Sequence, residues 1–332
     1  MQKRITTAHG GGGEEMRELI SGLFFKYFSN PYLEKLNDFA KVDISSRRIA
    51  LSTDSFVVEP WSFPGGNIGD LAVCGTVNDI SMSGATPLYL TCGFILPEGM
   101  PLEDLEEIVS AMARRASEAG VLIVTGDTKV VGRGAGPFIN TAGVGAVPDG
   151  IDIGGEMAKV GDEVIVTGAV GSHGIAVLSK REGLSFSTEV LSDCAPLNKM
   201  VAALIENGII PKVLRDPTRG GVAGALNEIS VQSGVEIEIE DEAIPIEQGV
   251  RSACDMLGYD PLHIANEGCM LVVVSQKDAQ RALELIQSCK YGEGAARIGR
   301  IAEGAPRVTA KTLLGTKRLV DPPSGELLPR IC

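Results

Sequence analysis

A chain of 332 residues, 44% of them hydrophobic, is long enough to build two cores, since single cores seldom grow far beyond the size of a typical domain. Its formal charge of −13 opposes non-specific nucleic-acid binding, which depends on Lys and Arg neutralising phosphates. No apolar run approaches the roughly 20 residues that span a bilayer, and the N-terminal MQKRITTAHGGGG lacks the apolar stretch of a secretory signal, so a soluble, cytoplasmic protein with no membrane partner is expected.

The first element is expected as a helix over Glu14 to Phe28, because Met16, Leu19, Ile20, Leu23, Phe24 and Tyr27 recur at helical spacing. Gly10 to Gly13 precede it. Such a loop feeding a helix N-terminus suits phosphate, but Glu14 and Glu15 satisfy the helix dipole themselves, and a loose N-terminal arm is the competing reading. RRIALSTDSFVV reads as a strand, and FPGGNIGDLAVCGTVNDISMSGATP as a loop followed by a closely packed helix. LYLTCGFIL is the next strand, and Leu102 to Ala119 an amphipathic helix that stops at Gly120 before the strand VLIVTGDTK. Proline and glycine cluster in AVPDGIDIGG, placing a boundary there before the strand GDEVIVTG opens a second α+β half. The tail DPPSGELLPRIC has no periodicity and reads as an exposed, semi-extended arm. Its length allows a reach of about 40 Å at roughly 3.3 to 3.6 Å per residue. The expected divisions are 1–40, an arm with its helix; 41–150; 151–320; and the tail, 321–332.

Asp54 in STDSF, Asp79 in VNDIS and Asp127 in TGDTK each stand where an apolar run gives way to small residues. Strand ends of this kind collect ligands in open α/β sheets, while a single aspartate so placed also caps turns and helices. With Asp216 in RDPTRGG they suggest magnesium held for a nucleotide, since magnesium takes hard oxygen ligands and substrate phosphates. Thr218, Arg219 and Gly220 in that segment precede a helix bearing Val222, Leu226 and Ile229, and either bind phosphate or form an ordinary capped helix with Arg219 solvated. No GxxxxGK[ST] segment occurs, which excludes a P-loop. VTGAVGSHG reads as a strand-to-helix turn, with His173, like His9 and His263, in a packing or hydrogen-bonding role. Lys129 could neutralise a phosphate and Glu267 in HIANEGC could act as a base; alone, either would more often be a solvated or ion-paired surface residue. Seven cysteines without a CxxC pair and only three histidines supply neither a disulfide framework nor zinc-ligand spacing. Cys332 differs from the other thiols because a terminal thiol on an arm suits a carrier of a passenger group. Arg330 favours its thiolate and the α-carboxylate disfavours it, so no strong self-activation is expected.

The segments AHGGGG, LSTDSF, FPGGNIG, GTVNDISMSGATP, TGDTKVV, DPTRGGV, ANEG and the terminal PRIC occur in the order of a known family. On these motifs the whole chain resembles the HypE hydrogenase maturation proteins, within the superfamily of aminoimidazole ribonucleotide synthetase and selenophosphate synthetase. PRIC is the most specific of them. The resemblance implies a two-domain α+β fold: an N-terminal ATP-binding domain whose strands join a second copy's in a shared β-barrel, a C-terminal α+β domain, and a flexible C-terminal tail. It implies a homodimer. Asp54, Asn78, Asp79, Asp127, Thr128, Asp216, Thr218, Arg219 and Gly220 would bind ATP, with Asp54, Asp79, Asp127 and Asp216 on Mg2+, and Cys332, Glu267 and Lys129 would carry the chemistry. That chemistry is the ATP-dependent dehydration of an S-carboxamide on Cys332 to thiocyanate, with the carbamoyltransferase HypF as donor and a HypC–HypD complex as cyanide acceptor. A small-molecule kinase or a selenophosphate synthetase of the same fold is an alternative, although no cysteine precedes Cys74 as the latter branch would require. A non-enzymatic delivery scaffold switched by ATP is another.

Overall fold

The computed structural model describes residues 4–11, 13–35, 40–134, 136–184 and 189–323. Gly12 and residues 324–332, with Cys332 among them, lie outside the described residues.

The helix expected over Glu14 to Phe28 is present as three consecutive pieces: α1 (Glu14–Leu19), a π-helical stretch (Ile20–Phe24) and α2 (Phe25–Phe28). Leu19, Leu23, Phe24 and Phe28 point into the core. The described residues before it are not loose. Arg4 bridges to Pro101, Ile5 is fully buried between Gly99 and Met100, and Gly10 lies so close to the Val130 backbone that a Cβ would sit 2.8 Å from its nitrogen. His9 caps its own turn, accepting from the Thr6 N–H at 3.1 Å.

The first half continues with β1 (Arg48–Phe56), a short hairpin of β2 (Ser62–Phe63) and β3 (Gly66–Asn67), α3 (Ile68–Met82), β4 (Thr86–Pro97), α4 (Leu102–Ala119), β5 (Leu122–Val131) and β6 (Phe138–Val147). The strands form one sheet in the order β1-β6-β4-β5. Helix α4 ends at Gly120, whose φ of +77° suits a residue without a Cβ. Helix α3 is buried along nearly its whole length, because its glycines and alanine let it lie against the sheet and α4; a Cβ on Gly69 would meet the Ile108 carbonyl at 2.3 Å. Among the described residues, one face of the sheet is covered in this way. The other presents Ile49, Leu51 and Ile95, with Leu51 72% exposed.

The second half comprises β7 (Glu163–Val166), α5 (Ser172–Glu182), α6 (Asn198–Glu206), β8 (Val213–Arg215), α7 (Gly221–Ser233), β9 (Glu236–Glu240), α8 (Gln248–Leu257), β10 (Leu271–Val274), α9 (Ala279–Ser288), β11 (Ala296–Ala302), β12 (Arg307–Lys311) and β13 (Lys317–Leu319). Its sheet runs β13-β12-β9-β11-β7-β10-β8. Val164–Val166 of β7 and Leu271–Val274 of β10 read as unbroken apolar runs because both faces are covered. Val164, Val166, Leu271 and Val273 pack toward α7, and Ile165, Val272 and Val274 toward α6 and α9. VTGAVGSHG does form a strand-to-helix turn, and Cys74, Cys92, Cys194, Cys254 and Cys269 are buried packing residues. Among the described residues, no helix is long and apolar enough to cross a membrane.

Candidate active site

The aspartates expected at strand ends are not there. Asp54 and Asp127 stand within β1 and β5, and Asp79 lies in the last turns of α3. Sheet pairing decides where they point. Asp54 pairs with Thr141, and that threonine donates to the Ala72 carbonyl of α3 at 2.8 Å, so Asp54 faces the helices. Asp79 meets the same face from above, accepting from Ser52 Oγ at 2.6 Å.

Two turns of the second half close on this point. The first runs from Asp216 through Pro217, Thr218, Arg219 and Gly220 into α7; the second is Ala265–Gly268. Asn266 stitches them together, donating from its N–H and its Nδ2 to the Pro217 carbonyl at 3.1 Å each. Gly220 and Gly221 both have positive φ, and a Cβ on Gly221 would strike the carbonyl oxygens of Leu262 and Ile264 at 2.5 and 2.6 Å. Arg219 reaches back to Asp54 at 3.7 Å while staying 72% exposed, and Thr218 is half-buried in the turn.

The result is a concentration of carboxyls facing one another. Burial, then the charge of Asp79, pushes Asp216 up to about 7. Burial raises Asp79 too, against the hydrogen bond from Ser52. Glu267 is pushed well above the usual carboxylate range by burial first, then by Asp216, Asp193 and Asp54. Each of these carboxyls is thereby biased toward its neutral form, a bias that a bound cation or proton-donating ligand would relieve. Among the described residues no three acidic, imidazole or thiol groups close tightly enough to grip a metal ion unaided.

Asn78 is buried and engaged with protein: its Nδ2 donates to the carbonyls of Ala195 at 3.0 Å and Glu267 at 3.4 Å, and its Oδ1 accepts from the Leu197 N–H at 2.8 Å. It therefore ties α3 to the second half just under the acidic cluster.

Asp127 and Lys129 are not in that cluster. They pair with each other at 2.8 Å, both well exposed, and Lys129 holds the Asp127 carboxyl below its usual range. In register, Asp127 shares a row with Gly93, Asn140 and Ser55, the row whose side chains leave the sheet away from α3. Three strand spacings, about 14 Å, and the thickness of the sheet separate it from Asp54. Thr128, between them, is buried on the helix side.

Sequence reasoning missed the residues that hold the site together. Asp193 accepts from the N–H groups of Glu267 and Gly268. Arg115 joins Asp70 at 2.8 Å, Glu118 at 2.9 Å, the Tyr291 hydroxyl at 3.2 Å and the Cys194 carbonyl at 2.9 Å, linking the two halves. No motif marks either. Their partners lie between 74 and 176 positions away, except for Glu118 and Asp70.

The root of the tail is placed on the same turn. The Val320 carbonyl accepts from Asn227 Nδ2 at 3.0 Å, the Asp321 carbonyl meets His263 Nε2 at 3.1 Å, and Pro323 lies against Gly220 and Gly224. A Cβ on Gly220 would come 2.6 Å from the Pro323 ring.

Family models of the AIR synthase related proteins match this chain twice, the N-terminal domain over residues 36–147 and the C-terminal domain over 159–311. Carbamoyl dehydratase HypE of Bradyrhizobium diazoefficiens is 48% identical over 332 residues, covering 99% of this chain and 96% of that protein. The crystal structure of hydrogenase maturation protein HypE in complex with ATP superposes with a TM-score of 0.95 at 46% identity, covering 98% of this chain and 99% of that one. The HypE–HypF complex structure contains a chain that matches with a TM-score of 0.81 at 50% identity, over 92% and 99% of the two chains.

Proposed function

We propose, because this chain belongs to the carbamoyl dehydratase HypE family of the AIR synthase related proteins, that it uses ATP to turn an S-carboxamide on its own Cys332 into protein-bound thiocyanate, the source of cyanide ligands for nickel–iron hydrogenase. The observation that carries this reading is the position of the tail root. Pro323 rests on the Gly220 turn, which also bears Asp216 and Arg219, so the chain leading to Cys332 starts at the acidic cluster.

An amide oxygen is a poor leaving group, so ATP would phosphorylate it first. The carboxamide oxygen takes the γ-phosphoryl group, ADP leaves, and one nitrogen proton is lost as the C=N bond forms. Loss of phosphate with the second nitrogen proton then leaves S–C≡N. Glu267, whose carboxyl is already biased toward binding a proton, is the acceptor. Asp54, Asp79 and Asp216 would hold Mg2+, whose contribution when bound is to neutralise phosphate charge. Arg219, Thr218 and Gly220 would meet phosphate oxygens at the start of α7.

Asp127 and Lys129 enter this scheme through a second copy. The uncovered sheet face with Ile49, Leu51 and Ile95 is the surface that a homodimeric barrel would close, and a second copy would supply the Asp127, Thr128 and Lys129 edge that one copy holds away from Asp54. HypF, found in complex with a related HypE, is the proposed carbamoyl donor, and HypC–HypD the proposed acceptor. A free thiol carrier suits the reducing cytoplasm. The relatives' activity and the ATP complex favour dehydration over a kinase or a passive scaffold. Intact-mass analysis tests this: after carbamoylation, Mg-ATP is expected to remove the mass of one water from the Cys332 peptide. A peptide that stays carbamoylated refutes the proposal.

A further inference from the structure

Glu267 is held by its main chain through one other carboxylate. Its N–H donates to Asp193 Oδ1 at 3.1 Å, and the N–H of Gly268 donates to Asp193 Oδ2 at 3.1 Å. Both oxygens are thus committed to two consecutive peptide groups, which resists rotation of the plane between them. The approach requires Gly268, since a Cβ there would lie 1.6 Å from the Asp193 carbonyl oxygen.

Asp193 is itself fixed from four sides. The Ser192 N–H donates to the Pro64 carbonyl at 2.8 Å, and Ser192 Oγ pairs with Nδ1 of His173 at 2.9 Å. Arg115 of α4 donates to the Cys194 carbonyl, and Asn78 of α3 brackets Ala195 and Leu197. Two neutral acceptors would satisfy the same pair of N–H groups. A carboxylate there adds negative charge beside Glu267, and burial pushes it up to about 6, so its place costs stability that a purely structural role does not require.

We propose that Asp193 is a positioning residue for the dehydration, fixing the peptide planes around Glu267 so that its carboxyl is aimed into the Asp54–Asp79–Asp216 cluster. This rests on Glu267 being the proton acceptor. The test measures single-turnover dehydration of the carbamoylated full-length chain at saturating Mg-ATP, together with ATP affinity and thermal melting. Asp193→Ala is expected to slow dehydration at least about tenfold, the scale of a misaimed catalytic group. Asp193→Asn, which keeps one acceptor oxygen, should fall between it and the native chain, and ATP affinity should stay unchanged in both. A native rate for Asp193→Ala, or a loss of ATP affinity matching the loss of rate, overturns the proposal. Should neither variant fold, amide exchange in the native chain decides: slow exchange at Glu267 and Gly268 supports the strut, and exchange at the rate of free amides refutes it. Glu267→Gln at full speed would instead sink the proton-acceptor reading, a separate failure.

Discussion

Replacing Glu267 by Gln removes the proposed proton acceptor while keeping the side chain's shape. The variant is expected to bind ATP like the native chain, by calorimetric titration, and to accumulate the carbamoylated form, by mass spectrometry. Normal thiocyanate yield would take Glu267 out of the mechanism. The difficulty of reading such a site in advance shows at Asp193. Glu267 sits in a motif and can be noticed; Asp193 acts through a contact 74 positions away that arises only when two turns pack. The same holds for Ser52, which supports Asp79 but looks in sequence like any strand serine. Asp127 shows the opposite problem: its motif is plain, yet strand alternation turns it to the far side of the sheet, which no single-residue signal reveals.

Helix α4 carries the link between halves at its end. Glu118 accepts from Arg115 at 2.9 Å, the Tyr291 hydroxyl at 2.5 Å and Lys290 at 2.5 Å. Burial pushes its carboxyl up, but these bonds outweigh burial and hold it at about 2. A carboxyl lowered on folding contributes stability above its ordinary value of 4.5, and that contribution is lost as pH falls toward 2. The native chain is therefore expected to lose melting temperature over that window more steeply than Glu118→Gln, by calorimetry at matched ionic strength; identical slopes would show that the link does not matter to folding. Elements such as α4 were legible from spacing and the glycine stop, and α3 from its small residues. The π-helical stretch Ile20–Phe24 was not, because the apolar spacing of a helix barely changes when one turn widens.

At the scale of the molecule, the two halves and their order followed from composition and from the glycine and proline cluster between them, whereas the exposed sheet face could be seen only once the strands were paired. Leu51→Arg places a charge on that face. With the proposed dimer closed through this face, the variant is expected to stay folded, to shift sedimentation toward the monomer, and to lower ATP affinity along with it; sedimentation identical to the native chain's would mean that this face is not the contact. The anchoring of Val320 to Pro323 on α7 has a final consequence. Cys332 is the ninth residue after Pro323, so the chain length limits the thiol to a sphere of about 30 Å around Pro323. One thiol in that volume amounts to an effective concentration on the order of 10 mM. A carbamoylated thiol arriving from solution would have to match that figure to compete, which makes the enzyme selective for itself by geometry alone, without a pocket that tells its own terminus from any other.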